Sequence, residues 1–207
     1  MNRIKCLRRA LHGALLSTIL LVVPGMLPWA QEGSLDTAQA SVPADSLYGL
    51  PMPLTDAQGT HFDWREMAGQ PLLVTMFYGD CASACPVLMQ SLQRTIAELK
   101  PEAGALKVLM VSLNPQHDTP TSLAHMSHMH QLDERFFRLA VAADERQTRA
   151  LAATLKIKYR ALDNGEISHN TRVTLLNAQG QAIASSTLLK PTADQALLSQ
   201  IRQALQL

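Results

Sequence analysis

Leu72-Leu73-Val74-Thr75-Met76-Phe77-Tyr78-Gly79-Asp80-Cys81-Ala82-Ser83-Ala84-Cys85-Pro86 is the stretch that decides the fold. Leu72 to Phe77 is the kind of short apolar run that a buried central strand requires. From Cys85 the period changes. Val87, Leu88, Leu92, Ile96 and Leu99 recur at spacings of one, three and four, which predicts a helix. Pro86 suits its first turn, where a missing N–H costs nothing. A strand, a loop bearing Cys81 and Cys85, and a helix make a soft-metal or redox site. The pair is one residue wider than the CxxC of a dithiol enzyme.

Working outward, the chain before this unit reads as targeting sequence. Met1 to Arg9 carries Arg3, Lys5, Arg8 and Arg9 and no acid, and an apolar run from Ala10 to about Val23 follows. Pro24, Gly25 and a small-residue stop at Ala30 complete the layout of a secretory signal over residues 1–30. The run falls short of the roughly 20 apolar residues of a spanning helix. A retained membrane anchor is the alternative if Met26, Leu27 and Trp29 extend it. Residues 31–46, rich in Ala, Ser, Gln and Asp, read as a flexible linker, and 47–207 as one domain. Loss of the signal takes four basic residues and no acid from the 18 basic and 17 acidic residues of the chain, leaving 14 against 17. No basic block survives outside the signal, which argues against nucleic-acid binding. No periodic surface stripe calls for a partner copy, so a monomer is expected.

After the signal only two cysteines remain, in an oxidising compartment where a structural disulfide would be the default. Closing so small a loop would stabilise little by chain entropy, which favours a chemical role for the pair.

Alternating segments follow. Leu54 to Phe62, with a turn cluster in its middle, reads as an N-terminal hairpin. Val108 to Leu113 is a second apolar strand, and Asp118-Thr119-Pro120-Thr121 starts a helix that runs to about Gln131. Phe136 to Ala142 contributes a strand, Asp144 to Lys156 a helix, and Val173 to Leu176 and Gln181 to Ser185 a hairpin about Asn177-Ala178-Gln179-Gly180. Pro191 to Leu207 closes as a helix. This order predicts an α/β, three-layer α/β/α domain with a mixed central sheet.

The loop before a helix turns backbone N–H groups and the positive dipole end toward the sulfurs, stabilising thiolate. Thiolates select Cu(I) or zinc over hard ions. Two sulfurs leave a metal short of ligands, and the histidines after the signal are His61, His117, His125, His128, His130 and His169. His169 precedes the strand Val173 to Leu176; spacing alone reads it as a surface-loop histidine, with a ligand as the alternative. In His125-Met126-Ser127-His128-Met129-His130, residues three and four apart share a helix face. Packing methionines and solvated histidines account for that run; an accessory copper or zinc site is the other reading. G-x-S-x-G, the phosphate-binding G-x-x-x-x-G-K-[ST] loop and H-E-x-x-H are absent.

The chain from about Leu47 to Leu207 resembles the Sco/SenC family of thioredoxin-like copper-binding proteins. Leu72 to Met89 matches its strand, CxxxCP loop and helix; Val108 to Pro120 matches its strand with a DTP helix start; and His169, ahead of Val173-Thr174-Leu175-Leu176 and the 177–180 turn, is in register with its distal histidine. The sequence departs from the pattern at Asp80, Ser168 and Asn177-Ala178, leaving the three matched ligands intact. The resemblance implies a thioredoxin-like fold and binding of Cu(I) and Cu(II) by Cys81, Cys85 and His169. It implies delivery of copper to, or reduction of the cysteines of, the dinuclear copper centre of cytochrome oxidase or another periplasmic cuproprotein. Other copper chaperones would be its exchange partners. The expected place is the periplasm, soluble or tethered to the inner membrane. The alternative is a metal-free thiol–disulfide oxidoreductase in which Cys81 and Cys85 are catalytic.

Overall fold

The computed structural model of the chain describes residues 43–102 and 104–207. The expected export signal and the linker before residue 43 lie outside the described residues.

The apolar run is a central strand, β3 (Leu72–Phe77), buried at all six positions. Its continuous hydrophobicity follows from having neighbours on both edges and cover on both faces. On one edge β4 (Lys107–Ser112) runs parallel to it; on the other β8 (Val173–Leu176) runs antiparallel, Leu73 facing Leu175. With β1 (Pro53–Asp56), β2 (His61–Asp63), β5 (Phe137–Ala142) and β9 (Ala182–Ser186), the seven-stranded mixed sheet has the order β2-β1-β5-β4-β3-β8-β9. The N-terminal hairpin is thus β1–β2, whose antiparallel pairing places Leu54 opposite Phe62.

Helices flank the sheet as in the thioredoxin-like fold. α1 (Ala84–Leu99) buries Cys85, Leu88, Met89, Leu92, Thr95, Ile96 and Leu99, a stripe at spacings of three and four. Val87, expected on that stripe, lies off it and is half-buried. α2 (Pro120–Met129) starts where Thr119 accepts from the N–H of Ser122. α3 (Glu145–Thr154) is capped by Asp144, and α4 (Gln195–Leu205) by Asp194, which accepts from the N–H groups of Ala196 and Leu197. That cap starts α4 after the segment 191–194, later than the expected Pro191. α1 packs beside α4, and Gln93 of α1 donates to the carbonyl of His130 at the end of α2.

One element departs from the expected organisation. β6 (Tyr159–Ala161) and β7 (Ile167–His169) form a separate two-stranded antiparallel ribbon, so His169 ends a strand instead of lying in a loop. Asn164 and Gly165, with φ +83° at the glycine, make its turn.

Asp45 and Ser46, ahead of the first strand, are joined to the β8–β9 turn through Gln181 and the Gln179 carbonyl. Gly180 makes room for this: a Cβ there would stand 2.2 Å from Tyr48 Cδ2, at a φ of +81°. Among the described residues no helix is long and apolar enough to cross a membrane.

Candidate metal centre

The strand directions gather the site. β3 and β4 are parallel, so their carboxyl ends share one edge; β8 is antiparallel, so its amino end comes to the same edge. The loops after β3 and β4 and the segment before β8 therefore meet there. One ligand atom from each of Cys81, Cys85 and His169 lies within 4.8 Å of the others.

The cysteine loop is closed by sulfur. Ser83 stands at the N-cap of α1 without a side-chain capping bond, and the N–H of Cys85 donates to Cys81 Sγ at 3.3 Å. Both cysteines are free and buried. Burial pushes the Cys81 thiol up, but hydrogen bonds from the Cys85 thiol and the N–H groups of Cys85, Ser83 and Ala84 outweigh it, and its pKa falls below the ordinary thiol value. Cys85 moves the other way: deeper burial, the Cys81 sulfur and the Asp118 carboxylate push it far above the ordinary value. Of the two sulfurs Cys81 is the more acidic and Cys85 the one that keeps its proton longer.

Behind the loop stands a carboxylate. Asp118 accepts from the N–H of Gly79 at 3.0 Å and from the hydroxyl of Ser112, which itself accepts from the N–H of Asn114. The loops after β3 and β4 are thereby tied together. Gly79 is required by space: a Cβ there would lie 2.2 Å from Asp118 Oδ1. Burial raises the Asp118 pKa, against the lowering effect of the Ser112 and Gly79 hydrogen bonds. Sequence reasoning read Asp118 as part of a helix start only; Thr119 caps the helix, and Asp118 turns back toward the cysteines.

His169 is held by its neighbours on the ribbon. It pairs with Tyr159 across β6–β7, Asn170 Oδ1 accepts from the N–H of Lys158 at 2.6 Å, and the hydroxyl of Tyr159 donates to Glu145 at the start of α3. Thr75 of β3 donates to the carbonyl of Arg172, closing the segment onto the sheet. Nδ1 of His169 lies 3.2 Å from the carbonyl oxygen of Asn170. A carbonyl can only accept, so Nδ1 carries the proton and Nε2 keeps its lone pair for a metal. Burial lowers the pKa of His169, which keeps the imidazole neutral. Tyr78, from the cysteine loop, meets its ring edge-on at 5.9 Å. Two sulfurs of unequal acidity and a neutral imidazole form a donor set suited to a soft or borderline cation.

The SCO1/SenC family model matches residues 41–206, nearly the whole described region. The chain belongs to the SCO1/SenC family. No curated protein matches the chain. Among solved structures, it is similar to a protein from Aquifex aeolicus VF5 with 20% identity and a TM-score of 0.68, over 79% of this chain and 91% of that one. It is similar also to Arabidopsis thaliana ScoI with copper bound, at 14% identity, a TM-score of 0.63, and 74% and 98% coverage. Yeast Sco1 with copper bound gives 15%, 0.61, and 76% and 87%. At these identities the likeness is one of fold.

In this SCO1/SenC chain the other candidate ligands stay apart. No second group of three His, Cys, Asp or Glu ligand atoms converges in this way among the described residues. His61 lies exposed on β2, bonded through Nδ1 to Thr55, and His117 is exposed in the loop after β4. Along α2, His125, His128 and Met129 face solvent, His130 is half-buried, and Met126 packs against the core.

The unequal thiols carry a direct expectation for the reduced, metal-free protein. Iodoacetamide near neutral pH should label Cys81 first, because the thiolate is the nucleophile. Its rate should rise with pH around a midpoint below that of a free thiol, while Cys85 lags far behind. Peptide mass mapping after short exposures reads the order, and equal labelling of both cysteines would contradict it.

Proposed function

We propose that this protein is a periplasmic copper carrier. Cys81, Cys85 and His169 hold Cu(I) or Cu(II), and the protein passes the ion to, or reduces the cysteines of, the copper centre of a client such as the dinuclear-copper subunit of cytochrome oxidase. The observation that carries this reading is the approach of the three ligand atoms to within 4.8 Å, from the start of α1 with its preceding loop and from the end of β7, far apart in sequence. Thiolate and imidazole are a donor set that copper accepts, and a third-ligand site on a half-buried histidine leaves a side open to ligand exchange with a partner. Family membership, and the copper bound in Arabidopsis ScoI and yeast Sco1, support copper as the cargo.

The test is a titration of the reduced protein with Cu(I) against a competing chelator, and with Cu(II) followed by its optical spectrum. One tight equivalent of Cu(I) is expected. His169→Ala should weaken Cu(II) binding and change its spectrum more than it weakens Cu(I), since two sulfurs suffice for a linear Cu(I) site. Failure of Cu(I) to compete, or identical Cu(II) spectra with and without His169, would overturn the assignment.

One observation favours a second reading. A more acidic Cys81 thiol beside a Cys85 thiol held protonated is the arrangement of a dithiol reductant. Cys81 would attack one sulfur of a client disulfide and expel the other as thiolate. Cys85, giving up its proton, would then attack Cys81 and release the second client thiolate, leaving the pair oxidised by two electrons and the client reduced by two. Turnover of a client-peptide disulfide in the absence of metal would support it.

A further inference from the structure

An open cleft of about 730 Å³ lies along the ribbon, with His169 in its wall. Lys156, Lys158, Arg160 and Arg172 line it, together with Asn170, and no carboxylate does. Three of these cations are exposed. Ion pairs among the described residues join Arg65 to Asp63, Arg135 to Asp133, Arg138 to Asp56 and Arg149 to Glu145, and none uses a cation of the cleft. Arg172 donates from Nη1 to Ser185 Oγ, yet its Nε is buried with no partner. Four of the 14 basic residues beyond the signal thus surround one cleft, on a domain whose balance is otherwise acidic.

The position of the cleft matters as much as its charge. Cys81 and Cys85 are 8% and 3% exposed, whereas His169 is only half-buried and forms part of the cleft wall. A partner exchanging ligands with the metal would meet His169 first, and would do so with its own surface against the lysines and arginines. Lys156, Lys158 and Arg160 follow one another along the segment entering β6 and Arg172 stands before β8, around an open cleft, which suits several carboxylates of a partner face better than one small anion.

We infer that this cleft is the docking surface for an acidic protein face, that of the acceptor or donor of the cargo, whose carboxylates seat against Lys156, Lys158, Arg160 and Arg172 while its metal ligands approach His169. The inference rests on the copper-carrier reading for the nature of the partner. Complementary charge of this kind acts chiefly on encounter rate and orientation, by about tenfold or more at low salt.

The test uses two fluorescein-labelled peptides, one rich in Glu and one with Gln in the same places, each with a single Cys as copper acceptor. Fluorescence anisotropy with the metal-free protein measures docking without reference to copper. The acidic peptide should bind more tightly by about tenfold or more, and added salt should erase the difference. Cu(I) should pass to the acidic peptide faster by a similar factor. Lys156→Glu/Lys158→Glu/Arg160→Glu should abolish both preferences while leaving Cu(I) affinity unchanged. No preference for the acidic peptide, a preference that survives in the triple variant, complete displacement by inorganic phosphate, or binding to anionic phosphatidylserine vesicles without peptide preference would each overturn the inference. Docking without copper binding would sink the carrier reading alone; copper binding without docking would sink this one alone.

Discussion

Cys81→Ser and Cys85→Ser are each expected to lose tight Cu(I) binding, by more than the roughly 100-fold that removal of a partner behind a metal ligand costs. The hydroxyl is nearly the same size but is hard and stays protonated, so a soft cation loses both charge and polarisable contact. The two variants should differ in everything else. At position 81 a hydroxyl oxygen can accept from the N–H of Cys85 at least as well as sulfur does, so Cys81→Ser should fold with unchanged stability. It leaves Cys85, whose thiol is held protonated, as a poor nucleophile. Cys85→Ser retains the reactive sulfur and places a hydroxyl in a site that is 3% exposed. Chelator competition and iodoacetamide labelling of the pair separate these effects. Wild-type copper affinity in either variant would remove that residue from the ligand set.

Gly79→Ala is expected to be a damaging small change beside the ligands. The new methyl would sit 2.2 Å from Asp118 Oδ1, and the buried carboxylate cannot retreat without giving up Ser112 and the N–H of Gly79. Overpacking a tight site costs about 1–3 kcal/mol, and a buried acceptor left without its donor adds about 1–3 kcal/mol. Copper affinity should fall as well, because the loop carrying Tyr78 and Cys81 must shift. Urea unfolding measures the first effect and chelator competition the second. Asp118→Ala removes the obstructing atoms, so Gly79→Ala/Asp118→Ala should lose less than the sum of its single variants. Additive losses would mean that the two residues do not meet.

Most of the frame was legible locally, because each element announced itself by period. The buried run Leu72 to Phe77, the helical stripe after Cys85, the turn about Gly180 and the helix starts near Thr119 and Asp144 needed no long-range information. The ribbon was not legible. Tyr159–Ala161 and Ile167–His169 are three residues each, too short for an alternation to register as a period. The turn Asp163-Asn164-Gly165-Glu166 was the available signal, since a glycine there between two short runs favours a hairpin. His169 illustrates the same limit: spacing pointed to a surface loop, and only the antiparallel pairing of β8 with β3 brings the segment before β8 to the cysteines. That pairing links residues far apart in the chain, and the family resemblance supplied it where local pattern could not. Asp118 is the remaining case, a residue whose sequence context fits a helix start and whose side chain serves the loop across from it.

The sulfur at the start of α1 has a consequence beyond the site itself. An oxygen cap is the same group in every state a protein visits, whereas on the carrier reading Cys81 would change identity with its cargo. Each lone pair given to a metal, or a bond made to Cys85, would leave less density on the Cys81 sulfur for the Cys85 N–H that closes the first turn. The opening turn of this helix would therefore be a gauge: its amide proton would report, from the backbone, whether the protein is empty, loaded or oxidised.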